Sequence, residues 1–169
     1  HDNKNVLCFC GDVSNENDVD KFIKKTDDTF GVIDVLVNNA GMRFRKNFLE
    51  IDSKELDLIL NVNLKSIFFM CQKTLPYFIN NKAGKIINMS SIAGTLGFSG
   101  LSGYVSSKAA IIGLTKSLAV EFADQNIQIN ALAPGFCKTS YFENFESKEE
   151  LYEFTLSRTP MGRWGESKE

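Results

Sequence analysis

Histidine is almost absent from this chain: its one residue, His1, stands at the extreme terminus. That removes the base from Ser-His-Asp and Cys-His chemistry, so any proton transfer falls to Tyr, Lys, Asp or Glu. Four cysteines, Cys8, Cys10, Cys71 and Cys137, form no C-x-x-C pair. Without partner histidines they point away from a zinc site. They read as reduced, mostly buried small hydrophobes of a cytoplasmic protein. A formal charge of −2 lacks the basic excess that non-specific nucleic-acid binding needs. No apolar run approaches the roughly 18 residues of a membrane span, and no basic-then-apolar signal opens the chain. Repeats, low-complexity tracts and linkers are also lacking. The expectation is one domain over 1–169, with neither nucleic acid nor membrane as a partner.

Four short runs rich in Val, Ile and Leu are there: "VLCFCGDV" (6–13), "VIDVLVNN" (32–39), "GKIINMS" (84–90) and "IQINALAP" (127–134). Each is nearly continuous rather than alternating, which predicts strands of a parallel sheet covered on both faces. Between them lie helical patterns: 15–30 after Ser14 as N-cap, 54–80 after Ser53 with a break near Pro76, and 103–124. A fourth helix is predicted around 147–156, starting at Ser147 with Glu149 and Glu150 in its first turn. The alternation predicts an α/β, doubly wound parallel sheet. Ligands bind such sheets beyond the carboxyl ends of the strands.

The residues there are small, polar or turn-forming: Asp12-Val13, Asn38 to Gly41, Ser90-Ser91 and Pro134-Gly135. Tyr104 follows Ser91 by 13 residues across a glycine-rich segment free to fold back. Lys108 stands four residues after Tyr104, one helical turn away on the same face. Asn63 lies mid-helix, where Asn is a poor fit. These groups suit hydride transfer at a carbonyl or alcohol carbon. A free tyrosine, at pKa about 10, is a poor base near neutrality, and bringing it to about 7 takes roughly 4 kcal/mol. A neighbouring ammonium in a dry site supplies much of that. Ser91 can donate to the substrate oxygen, and Asn63 can hold a relay water.

"NNAG", "NVNLKS", "INMSSIAG", "YVSSK" and "NALAPGF" occur in the order and spacing of the short-chain dehydrogenase/reductase family, which the whole chain resembles. The resemblance implies a Rossmann-type fold and an NAD(P)-dependent oxidoreductase acting on CH–OH groups. It implies that Tyr104 is the catalytic acid/base and that Lys108 is its partner and a ribose ligand. Ser91 matches the polarising serine and Asn63 the relay asparagine. Asp12 and Val13 match the pair at the adenine, and Asn39, Ala40 and Gly41 the turn at the adenosine ribose. Pro134, Gly135, Cys137 and Thr139 match the segment that grips the nicotinamide. Asn38 is expected to tie neighbouring strands, and Ser90 to be a bystander.

The family's glycine-rich phosphate turn precedes the position of "VLCFCGDV", and its last strand follows "GRWGESKE". Neither is in this sequence. The expectation is therefore a fragment lacking the first βαβ unit and the last strand, with open sheet edges. The strand that separates NAD from NADP is also absent, so either cofactor fits. Residues 42–48, 92–103 and a loop near 136–160 are expected to wall a small-molecule pocket. Arg43, Arg45 and Lys46 read either as contacts for an acidic substrate or as a solvated turn. "NNAGMRFRKNFLE" with "RTPMGRWGE" resembles the gluconate 5-dehydrogenase branch, which implies a sugar acid or polyol as substrate. The other motifs equally resemble 3-oxoacyl-[acyl-carrier-protein] reductases. A truncated, non-catalytic binding module is the alternative of a different class. The helices of 54–80 and 103–124 are apolar almost all round, which points to a dimer or tetramer of identical chains.

Overall fold

Caps decide where the helices begin. In the computed structural model, which describes residues 5–139 and 142–169, Asn15 caps α1 (Glu16–Phe30) by accepting from the N–H groups of Asn17 and Asp18. Ser14 stands one residue too early for that and instead bonds the Asp12 carboxylate through its N–H and hydroxyl. α2 (Ser53–Leu60) is capped by Asp52 rather than by Ser53, through a capping box with Glu55. A π-helical turn, Asn61–Lys65, joins α2 to α3 (Ser66–Asn81). Helix α3 runs straight through Pro76, correcting the expected break. Pro76 and Gln72 both lie on the exposed side, where water can take the bond that the proline cannot donate. Further along the chain comes α4 (Ser102–Glu121).

Strands β1 (Val35–Asn38), β2 (Gly84–Met89) and β3 (Ile127–Leu132) form a parallel sheet in the order β1-β2-β3. Leu36, Ile86 and Ile129 share one register row, and Asn38 pairs with Asn88. Burial alternates along each strand. Leu36, Ile86, Ile127 and Ile129 join Ile67, Met70, Cys71, Leu75, Phe78 and Ile111 of α3 and α4 in one core. Val35 and Val37 on the other face are 50% and 55% exposed. Among the described residues the sheet is thus covered on one face, where the continuous apolar runs predicted two.

The segment 6–13 forms no strand, which corrects another expectation: it has no sheet neighbour among the described residues, and Val6 is 61% exposed. Cys8 and Cys10 are exposed with it, and of the four thiols only Cys71 is buried.

The chain divides into two compact units, one up to Leu132 and one from Ala133. In the second, α6 (Glu149–Ser157) forms the helix predicted around 147–156, with Lys148 rather than Ser147 at its N-cap, and a short unpredicted α5 (Phe142–Glu146) precedes it. This unit has its own aromatic centre. Trp164 is buried and packs 5.1 to 5.4 Å, between ring centroids, from Phe136, Phe142 and Phe145. Its indole N–H donates to Thr155 Oγ1 at 2.7 Å. The stretch expected as a loop near 136–160 is therefore a packed structure.

Candidate active site

The carboxyl end of β2 organises the site. Met89 offers its carbonyl to Lys108 Nζ at 2.7 Å, and Lys108 is buried. The same Nζ lies 5.7 Å from the centroid of the half-buried Tyr104 ring. The ammonium is thus held between the strand end and the phenol one turn before it. Burial pushes the Lys108 pKa down. One residue beyond Met89, buried Ser90 donates to the carbonyl of Lys108 at 2.8 Å, pinning β2 to α4.

Ser91 heads a 3-10 turn, Ile92–Gly94, and its Oγ accepts from Ala93 N at 3.1 Å. Because that bond uses an oxygen lone pair, the hydroxyl proton is left to donate elsewhere. The turn lies against α4: a Cβ on Gly94 would meet Ile112 Cδ1 and the Lys108 carbonyl, each within 3 Å. Those residues are one and two turns beyond Tyr104.

Asn63 is fully buried on the π-turn. Its Oδ1 accepts from Met42 N at 2.7 Å, and its Nδ2 donates to Met42 O at 2.9 Å and Ser107 Oγ at 3.0 Å. Ser107 in turn donates to the Tyr104 carbonyl. Asn39, Ala40 and Gly41 form an exposed, irregular segment after β1. At Gly41 an added Cβ would lie 3.3 Å from Asn63 Oδ1 and 3.6 Å from Lys108 Nζ. The structure therefore gathers Gly41, Asn63, Tyr104 and Lys108.

Asp12 and Val13 border a separate hollow with Phe9, Phe22 and Met70. The Asp12 carboxyl is held below its ordinary value, chiefly by the Ser14 hydroxyl and N–H. Pro134, Gly135, Cys137 and Thr139 belong to the second unit. There Cys137 bridges Gly165, and the Thr139 carbonyl accepts from Phe142 N. Of the three cations after "NNAG", Lys46 is paired with Glu55 at 2.6 Å and Arg45 donates to the Ser99 carbonyl at 2.6 Å.

Sequence reasoning missed Ser90 as an anchor, and missed Ser107 and Asn88 altogether. Asn88 is fully buried. It accepts from Asn38 Nδ2 at 2.9 Å and donates to Thr115 Oγ1 at 3.0 Å. Asn38 does tie neighbouring strands through its amide. The signal for Asn88 was present: it is a lone amide inside an apolar strand run, and such a group needs a partner.

Proteins of similar sequence and structure define the class. Residues 1–150 match the family model for short chain dehydrogenases, and the chain belongs to that family. It is 40% identical over 157 residues to the 3-oxoacyl-[acyl-carrier-protein] reductase of Thermotoga maritima, covering 93% of this chain and 63% of that protein. It is 36% identical over 163 residues to the 2-dehydro-3-deoxy-D-gluconate 5-dehydrogenase of Dickeya dadantii, covering 96% and 64%. Among solved structures, ElxO with NADP bound superposes at a TM-score of 0.89 with 37% identity, covering 96% of this chain and 66% of that one. The chain thus spans less than two thirds of the length of these curated relatives, and the family's doubly wound domain is present only in part.

Proposed function

We propose that this chain carries the proton-transfer centre of an NAD(P)-dependent oxidoreductase that interconverts a secondary alcohol and a ketone. The observation that carries the reading is the buried Lys108 ammonium, anchored on Met89 and facing the Tyr104 ring. In the reductive direction Tyr104 gives its proton to the substrate oxygen, and Lys108 stabilises the phenolate that remains. Ser91, with its proton free, donates to the same oxygen as charge develops. Asn63 has committed both amide protons to Met42 and Ser107, so it joins a relay through Oδ1 as an acceptor.

The residues present fit a nicotinamide cofactor. The bare backbone at Gly41 leaves space beside Lys108 and Asn63 that a side chain would fill. Asp12, Val13, Asn39, Ala40 and Gly41 would hold the adenosine end, and Lys108 the nicotinamide ribose. When bound, the cofactor supplies or takes the hydride. Either NAD or NADP suits this reading, and the likeness to an NADP-bound structure supports the latter.

For the substrate we favour a sugar acid or polyol, in keeping with the gluconate-type relative. Arg45 supports this, since its bond to Ser99 uses one guanidinium N–H and leaves others for a carboxylate. The second reading, a 3-oxoacyl thioester, rests on the Thermotoga relative. The enzyme would work in the cytoplasm as a dimer or tetramer. A groove lined by Phe68, Leu75, Ile79, Leu114 and Leu118 between α3 and α4 supports that assembly.

The test is nicotinamide-dependent turnover in the full-length protein. Tyr104→Phe should lose about 10²- to 10⁴-fold in kcat, the usual scale of general acid–base catalysis. An unchanged rate would overturn the role. Comparing a keto sugar acid with an acetoacetyl thioester decides between the two substrate classes.

A further inference from the structure

The helix that carries Tyr104 begins without a cap. Leu101 occupies the N-cap position of α4 and offers no side-chain acceptor. Tyr104 is the third residue of the helix, within the turn that frays most readily when uncapped. Its geometry therefore depends on what holds the preceding segment.

That segment is held by two consecutive residues of another loop. Arg45 donates from Nη1 to the Ser99 carbonyl at 2.6 Å, and Lys46 donates its backbone N–H to the Gly100 carbonyl at 2.9 Å. Gly100 has φ +73, the left-handed region, and a Cβ there would lie 3.0 Å from Arg45 Cγ. Only glycine takes that conformation so close to the Arg45 stem without strain.

Lys46 reaches in a second direction as well. Its Nζ bonds both carboxylate oxygens of Glu55, at 2.7 and 2.6 Å. Glu55 also accepts from Asp52 N, closing the capping box of α2. Later on α2, Ile59 packs against Gly103 in the first turn of α4, 3.3 Å from where its Cβ would lie. The contacts make a closed ring: Glu55, Lys46, Gly100, Gly103, Ile59 and back along α2.

We propose that Lys46 is a positioning residue, which sets the Tyr104 end of α4 by bridging the start of α2 to the segment leading into α4. This rests on the catalytic reading of Tyr104 given above. Lys46 touches no reacting atom in this role, and its ammonium is committed to Glu55.

The test compares Lys46→Met, Lys46→Arg and Glu55→Gln in the full-length protein, with two readouts. One is kcat with the KM for the nicotinamide cofactor. The other is amide hydrogen exchange at Val105, whose N–H makes the first α4 bond, to Leu101 O. In Lys46→Met, kcat should fall about tenfold with the cofactor KM unchanged. Val105 exchange should quicken about tenfold, while Ile129 in β3 keeps its protection. Lys46→Arg should restore most of both. Glu55→Gln keeps an acceptor for Asp52 N and should reproduce the Lys46→Met effect in milder form; it serves if Lys46→Met fails to fold.

Wild-type exchange and kcat in Lys46→Met and Glu55→Gln would overturn the proposal. So would faster exchange with unchanged kcat. If Tyr104→Phe keeps full turnover, the catalytic reading fails instead. If Tyr104→Phe is inactive and the Lys46 and Glu55 variants match wild type, only the positioning role fails.

Discussion

Asn63 and Met42 exchange two hydrogen bonds, side-chain amide to backbone: 2.7 Å into Asn63 Oδ1 and 2.9 Å out of Nδ2. A fully buried amide on a helix thus completes the backbone of a loop 21 residues earlier. The π-turn that carries Asn63 makes its poor helix propensity useful, because the side chain finds partners away from its own helix.

Replacing Asn63 by Leu keeps the approximate volume and leaves both polar groups of Met42 and the Ser107 hydroxyl short of a partner. At about 1–3 kcal/mol for each of the two orphaned Met42 groups, a loss of about 2–6 kcal/mol is expected in urea unfolding, Ser107 keeping its bond to the Tyr104 carbonyl. A loss under 1 kcal/mol would mean that water replaces the amide.

Lys108 makes stability depend on pH with a definite sign. Burial places its folded pKa below the ordinary 10.5. Between the folded value and 10.5 the unfolded chain binds a proton that the folded chain does not. Stability therefore rises with pH across that window. The comparison is best made in a Tyr104→Phe background, so that the phenol does not titrate. There, the stability of the Lys108 protein relative to Lys108→Met should climb as pH approaches 10.5, measured by urea unfolding at stepped pH. Lys46 and Lys73, whose carboxylate partners raise their pKa values, are common to both proteins and cancel. A flat or falling difference would show the ammonium to be better solvated than this geometry implies.

Cys71 should be inert while the protein is folded. It is 1% exposed, and burial pushes its thiol up to about 12, against a smaller opposing effect of the Asn38 amide at 3.5 Å. Near pH 8 the thiolate fraction is then on the order of 10⁻⁴. Iodoacetamide followed by peptide mapping should label Cys71 only after denaturant is added. Fast labelling without denaturant would mean that the α3 core opens on the reaction time scale.

The parallel strands 35–38, 84–89 and 127–132, the helices between them and the Tyr104–Lys108 face were legible because they rest on local pattern. The failures share a physical cause: burial and pairing are properties of neighbours. The run 6–13 has strand composition, but a strand exists only beside another. Pro76 ends many helices, yet on the exposed side of α3 its missing bond falls to water. The irregularity in that rod is the π-turn at Asn63, marked in sequence only by a polar residue in an apolar helix. Ser90 and Ser107 are ordinary serines by spacing; their importance lies in the carbonyls of Lys108 and Tyr104, which only the folded chain brings to them.

The second unit offers a test of its own through Trp164, the single tryptophan of the chain. Its indole N–H is buried and has Thr155 Oγ1 as its partner, and Thr155 is itself 1% exposed. Thr155→Val has nearly the same shape and removes the acceptor. The orphaned N–H costs about 1–3 kcal/mol. That is a large share for a unit whose ring contacts centre on one side chain. Trp164 emission should shift to the red and its quenching by acrylamide should rise, while Thr155→Ser, which keeps the hydroxyl, should stay near wild type. Equal quenching in Thr155→Val would mean that the ring packing of Phe136, Phe142 and Phe145 holds Trp164 without the hydrogen bond.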